Sequence, residues 1–322
     1  MESDNLYIDE PCVAFFHFGE LGWGLSRWFG HMRYLHKEVY KDKPFVAFID
    51  LDYHIFVKDF VKYSIELPEW FYKLELERDC YEAVLPDSKP GSLTPPHVYS
   101  RMIEYMRGFY DYEKCIEIFP PRGCNPFVTF LPQLFRLQKE EPIKSDRDII
   151  CVMPRGRSRA PQRNVPEFIW REVVEELRKY FTVVLCGTPS GSFLLGYTAD
   201  NVINLIDYNK EDKMDLIVRY LNSAVCSISS QSGLTHVSLH AGCPSYIIGH
   251  EKERHVKFEN KFDVPVSFRT VVDYRAIDSQ TILNDVAEML NLLEKARQEE
   301  TAEYVETLSN SCAKLNSIIE GV

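Results

Sequence analysis

The chain has 322 residues, of which 45% are apolar and 26% charged, enough for two domains of ordinary size or one large one with a substantial core. Its net charge of -11, from 48 acids against 37 bases, argues against nucleic acid or an anionic membrane surface as a general partner, while a few arginines can still build a local anion site. No apolar run reaches the roughly 18 residues of a membrane span.

The amino terminus, MESDNLYIDE, is acidic and unlike a secretory leader, and nine cysteines are scattered with no CxxC pair. Reduced thiols in a cytoplasmic protein are therefore expected. No histidine–cysteine cluster suggests zinc, and neither a metal nor an organic cofactor is expected. Nothing in the residues signals an oligomeric state.

The first apolar run, Cys12 to Phe18, stops at the glycine-rich turn Gly19-Glu20-Leu21-Gly22-Trp23-Gly24, and a helical pattern follows from about Leu25 to Val39. Strand, glycine turn, helix is the opening of an α/β unit. A second strand, Pro44 to Leu51, ends at Asp50 and Asp52. Residues 55–76 read as helix and loop around a short strand. A strand at Cys80–Leu85, a helix at His97–Tyr110 and a strand at Tyr112–Phe119 come next, before a loop punctuated by proline and glycine at 120–126. The polar stretch 139–148 has linker composition.

The second half is a series of βα units. Its strands are Asp148–Met153, Phe181–Cys186, Val202–Leu205, Ala224–Ile228 and Pro244–Ile248, too apolar to face water on either side, as in a parallel sheet. Its helices are Pro166–Tyr180, Lys213–Leu221 and Leu234–Ala241. A long amphipathic helix, Asp278–Arg297, and a helix-like tail, Ala302–Ile318, close the chain. The expected organisation is an amino-terminal Rossmann-like domain at 1–140, a second at 146–275, and terminal helices at 276–322 that fold back on the first.

In open α/β sheets ligands lie beyond the carboxyl ends of the strands. Three polar segments fall there: the arginine loop 154–164, the turn that begins at Gly187, and Ser229–His236. Arginine grips phosphate through paired hydrogen bonds, so Arg155 and Arg157 are candidate anion ligands. In the last segment small residues precede a helix whose first amides have no internal acceptor. Ser230, Ser232, Gly233, Thr235 and His236 are the candidate contacts there, although Ser and Thr at such a position also simply cap helices. Glu20, in a tight turn at a strand end, suits a general base, and Asp52 is the alternative. His17 and Asp50, at neighbouring strand ends, could hold a second substrate. His250 and His255 fall in the loop after the last strand.

Residues 224–249, AVCSISSQSGLTHVSLHAGCPSYIIG, resemble the donor segment of heptosyltransferase-like glycosyltransferases of family 9 through Ser230, Ser232, Gly233, His236, Ala241, Gly242 and Pro244. Gln231 stands where that family usually has an acid, and Gly242 follows Ala241 directly. Upstream, Ile149–Met153, the arginine loop, Trp170, Val183–Cys186 and Gly187 are similar to the family's first carboxyl-domain unit, and Gly19-Glu20-Leu21-Gly22 is similar to its Gly-Asp loop. A weaker likeness to fucosyltransferase-like enzymes rests on Arg155 or Arg157. The resemblance implies a GT-B fold, two Rossmann-like α/β domains with parallel sheets facing across a cleft. It also implies metal-independent, inverting transfer of a sugar from a nucleotide-sugar donor to a glycan or other hydroxyl acceptor, with Glu20 as base. A nucleotide-sugar epimerase-like enzyme of the same form, or a non-catalytic nucleotide-sugar-binding module, are the alternatives.

Overall fold

A computed structural model of the chain describes residues 6–17, 21–73, 96–119, 134–158, 160–296 and 298–299. Two all-parallel sheets organise it. The first has the order β3-β2-β1-β4, from β1 (Val13–His17), β2 (Phe45–Ile49), β3 (Val61–Glu66) and β4 (Ile116–Ile118). The second has the order β10-β9-β8-β5-β6-β7, from β5 (Ile149–Met153), β6 (Thr182–Leu185), β7 (Val202–Asn204), β8 (Ala224–Ser230), β9 (Ser245–Gly249) and β10 (Val266–Thr270). Every residue of β1, β2, β5 and β9 is buried, which is why their sequences are apolar without alternation.

In both sheets the chain runs outward in one direction, then returns to pair with the first strand on its other side. The reversal falls between β1 and β4 in the first sheet and between β5 and β8 in the second. The loops leaving those strands diverge there and open a crevice at the carboxyl edge.

The helix after β1 begins at Leu21–Trp23 and continues through Gly24–Trp28, Phe29–Tyr34 and Leu35–Val39. We call it α1. Two of its four parts are wide π turns, a local expansion that often accompanies functional sites. Gly24 allows α1 to start directly above the end of β1, since a Cβ there would stand 2.7 Å from His17 Nε2. Helix α2 (Pro96–Met106) covers the other face of the first sheet through Val98 and Met102.

In the second domain α3 (Glu167–Leu177) places Ile169, Trp170, Val173, Val174 and Leu177 on one buried stripe, as its 3.6-residue spacing requires. Helices α4 (Lys213–Ser223) and α5 (Gly233–Ala241) lie on the opposite face, and α6 (Glu253–Phe262) joins β9 to β10. The helix at 279–296, α7, buries Ile282, Val286 and Met289 with Tyr246 and Ile248 of the second sheet. Asp285 ties it down, accepting from Tyr246 at 2.7 Å and from Arg269. This part of the carboxyl-terminal region therefore docks on the second domain and not on the first, because its apolar stripe meets the face that α3 leaves open. Residues 300–322 lie outside the described residues.

The two domains share one apolar cluster. Phe15, Leu25 and Phe29 of the first are continuous with Met153, Ile217, Val218 and Val237 of the second. The segment 134–137 threads between them. The Phe135 ring lies under the Arg33 guanidinium at 3.7 Å on one side and against the His240 ring at 4.1 Å on the other. The Phe135 carbonyl accepts from His240 Nδ1 at 2.8 Å, and Leu137 N–H donates to the His240 carbonyl at 2.8 Å. Arg33 is held in turn by Asp59 and by the Phe56 carbonyl. Burial pulls its pKa down, while Asp59 opposes the shift.

Candidate functional site

The connections that leave the carboxyl ends of β1 and β8 meet each other. Gly233, the first residue of α5, faces the start of α1: a Cβ at Gly233 would lie 3.3 Å from Gly22 N and 3.4 Å from Leu21 Cβ. A side chain there would require the start of α1 to give by a few tenths of an ångström. The carboxyl edges of the two sheets thus face one another, with the first turn of α5 at their meeting point.

That turn is organised from within. Ser232 is the N-cap of α5, and its N–H donates to Thr235 Oγ1 at 3.2 Å in a capping box. Thr235 is fully buried and its hydroxyl lies 3.0 Å from both Ser229 Oγ and the Ser230 carbonyl. The Thr235 hydroxyl is therefore spent on the fold and is not a ligand contact. Ser230, the last residue of β8, is also fully buried, but its Oγ has no hydrogen-bond partner among the described residues. A buried hydroxyl left so is uncommon. The Gly233 and Leu234 amides belong to the first turn and have no acceptor within the helix.

Across the crevice, the loop after β5 turns back at once. Arg155 bridges Ser192, Gly156 N–H donates to the Gly191 carbonyl at 2.9 Å, and Phe193 N–H donates to the Pro154 carbonyl at 2.7 Å. Arg155 is 3% exposed, and its Nη1 donates to the Ala160 carbonyl at 3.2 Å and to Asn164 Oδ1. Asn164 Nδ2 donates to the Arg157 carbonyl at 2.8 Å. So Arg155 is the internal brace of the arginine loop, whereas Arg157 and Arg163 are half-exposed on it. Gly187 is likewise structural. A Cβ there would fall 1.9 Å from Ser192 Oγ, so the 187–196 turn closes only on a glycine.

On the first domain, His17 is fully buried, with its ring 4.8 Å from Phe29 and 6.1 Å from Tyr53. Asp50 caps the 3-10 turn Leu51–Phe56, accepting from Asp52 N–H at 3.1 Å. Lys213, at the start of α4, faces Asp52 from the second domain and donates to the Ile206 carbonyl at 3.0 Å. Burial lowers the Lys213 pKa, and Asp52 is the strongest influence opposing that shift. Glu20 lies outside the described residues.

His236 stacks on His255 with ring centroids 5.4 Å apart. His236 and His240 are four residues apart on one helix, a metal-ligand spacing that the sequence reading passed over. His240 is fully buried and its Nδ1 bonds the Phe135 carbonyl. Among the described residues no three ligating side chains gather as for a metal ion.

The sequence reading also missed Tyr274, whose hydroxyl lies 3.2 Å from Gln231 Oε1 and 3.1 Å from His250 Nδ1 at the end of β8. It sits 24 positions past His250 with no local signal, and only the fold brings it back.

No protein-family model matches the chain, and no curated protein matches it in sequence. Solved structures do match. ADP-heptose lipopolysaccharide heptosyltransferase II of E. coli superposes with a TM-score of 0.55 at 15% identity, covering 88% of this chain and 99% of that one. A glycosyl transferase of family 9 from Veillonella parvula gives 0.54 at 11%, covering 89% and 99%. An E. coli heptosyltransferase solved with ADP gives 0.51 at 9%, covering 86% and 99%. The chain has the GT-B fold of these proteins, two parallel-sheet Rossmann-like domains.

Proposed function

We propose that the protein is a metal-independent, inverting glycosyltransferase that moves a sugar from a nucleotide-sugar donor to a hydroxyl of a glycan or other acceptor. The observation that carries this reading is the meeting of the two carboxyl edges, which sets the first turn of α5 against the start of α1 beside the arginine loop.

In this reading the diphosphate lies between the arginine loop and α5. Arg157 and Arg163 supply charge-assisted hydrogen bonds, with Arg155 bracing the loop beneath them. The amides of Gly233 and Leu234, the helix field and Ser230 Oγ complete the cradle, and Ser232 and His236 flank it. The acceptor hydroxyl gives its proton to Glu20 and attacks the anomeric carbon from the face opposite the diphosphate. The bond from that carbon to the phosphate oxygen breaks, and the nucleoside diphosphate leaves with the electron pair. Arginine and the helix amides stabilise the charge that develops there, so no metal is needed. Asp50 and Asp52 hold the acceptor from the end of β2, and His17 supports the start of α1 from below.

The test is release of nucleoside diphosphate from a panel of nucleotide sugars, with and without added hydroxyl acceptors. Acceptor-dependent release is the expected result. Interconversion of the free nucleotide sugar would identify an epimerase-like enzyme instead, and tight binding without turnover would identify a binding module.

A further inference from the structure

At the carboxyl end of β8 the hydrogen-bond donors and acceptors can be assigned one after another from a single backbone group. His250 N–H lies 2.9 Å from the terminal atom of Gln231, named Oε1. A backbone N–H can only donate, so the atom facing it must be the amide oxygen. The same oxygen lies 3.2 Å from the Tyr274 hydroxyl. Carbonyl oxygen can only accept, so Tyr274 spends its one proton on Gln231. The Tyr274 oxygen also lies 3.1 Å from His250 Nδ1 and must accept there. His250 therefore carries a proton on Nδ1, and in the neutral ring Nε2 is left with a lone pair.

The chain of bonds is well supported. Gln231 and Tyr274 are 3% and 2% exposed, so neither trades its partner for solvent at low cost. Gly249 leaves room for the Gln231 side chain, whose Cγ would be 2.5 Å from a Cβ at that position. The His250 ring is itself exposed, and Nε2 has no protein partner among the described residues. Burial raises the Tyr274 pKa, and Arg163 and Arg155 oppose that shift.

We propose that Gln231 and Tyr274 are positioning residues that hold His250 Nε2 as a hydrogen-bond acceptor for a sugar hydroxyl of the nucleotide-sugar donor. The proposal rests on the glycosyltransferase reading and adds a specificity residue to it. A lysine or arginine in place of His250 could not accept this bond, and neither could an imidazole in the opposite tautomer. The hydroxyl belongs to the transferred sugar or to the ribose, and the two differ in which ligands lose affinity.

Two measurements test this. The first is the nitrogen-15 spectrum of the histidine rings at pH 8 in the free protein, with His250→Gln used to assign the signal. His250 is expected in the Nδ1–H form, and Tyr274→Phe should shift it toward the usual Nε2–H form. An Nε2–H ring in the unaltered protein would overturn the relay, whatever the protein binds. The second is calorimetry with UDP, GDP and ADP and their hexose conjugates. His250→Leu should weaken the conjugate that binds by about 10-fold, His250→Gln should restore most of it, and Tyr274→Phe should fall between. Loss confined to the conjugate assigns the hydroxyl to the transferred sugar, and equal loss for the diphosphate alone assigns it to the ribose. Unchanged affinity in His250→Leu would overturn the proposal while leaving the glycosyltransferase reading intact. Absence of all nucleotide binding in the unaltered protein, with the Nδ1–H ring present, would refute that reading and the ligand assignment together.

Discussion

Arg155 and Arg157 are two residues apart on one loop, yet replacing them should have different consequences. Arg155 is buried and its Nη1 serves two acceptors, the Ala160 carbonyl and Asn164 Oδ1. A hydrogen bond made by a charged group contributes about 1.5–3 kcal/mol, and two sharing one donor do not add fully, so Arg155→Ala should cost about 2–4 kcal/mol of stability. Arg157 is half-exposed and gives its main-chain carbonyl to that brace, a bond that an alanine keeps. Arg157→Ala should therefore lose less stability than Arg155→Ala. Its affinity for the nucleoside diphosphate should fall by one charged hydrogen bond, a factor of roughly 10 to 150. Urea unfolding and calorimetric titration on both variants read the two effects separately. An unchanged unfolding midpoint in Arg155→Ala, with nucleotide affinity lost, would show that Arg155 is the ligand residue and the brace is incidental.

Glu20→Gln should leave donor affinity almost intact and lower turnover roughly 100- to 10,000-fold, measured at saturating donor and acceptor; near-normal turnover would move the base to Asp52 or Asp50. Phe135→Ala removes a buried ring between Arg33 and His240 and should lower stability by about 3–5 kcal/mol in urea unfolding; a loss under about 1 kcal/mol would mean that the segment does not join the domains. Glu117 accepts from Arg107 at 2.7 and 2.6 Å and from Tyr110 at 3.0 Å, and the Arg107 guanidinium holds its carboxyl below the usual range. A depressed folded-state pKa stabilises above the unfolded value, about pH 4.3, and that contribution fades as pH falls through the folded value. The stability gap between the parent and Glu117→Gln, roughly 1 kcal/mol, should be present at pH 7 and close in acid, and a gap independent of pH would contradict the pairing.

Much of the fold can be read in sequence because buried parallel strands are continuous apolar runs. Val13–His17, Phe45–Ile49, Ile149–Met153 and Ser245–Gly249 fall within a residue or two of where the composition places them. The helices around Trp170 and Ile217 are equally clear from their stripes. The last βαβ unit was hidden. The helix Glu253–Phe262 is so charged that its buried His255 and Phe258 do not stand out, and the half-buried edge strand Val266–Thr270 lacks the apolar run of the central strands. At the candidate site, strand ends point to polar segments but do not separate a brace from a candidate contact. Arg155, Gly187 and Thr235 are as polar or small as the other candidates, and only burial and partners show that the fold consumes them. Tyr274 and Lys213 come from distant positions, where sequence spacing carries no information about proximity.

The central claim, that a nucleotide sugar binds between the arginine loop and the first turn of the helix at Gly233, is tested most directly by thermal unfolding against a panel of nucleotide sugars in the parent and in Arg157→Ala. A ligand bound only by the folded state at 100 times its Kd adds about 2.7 kcal/mol, which should raise the parent's Tm by several degrees for one nucleotide class, with a clearly smaller rise in the variant. No stabilisation of the parent by any nucleotide sugar at millimolar concentration, or an equal rise in the variant, would contradict it.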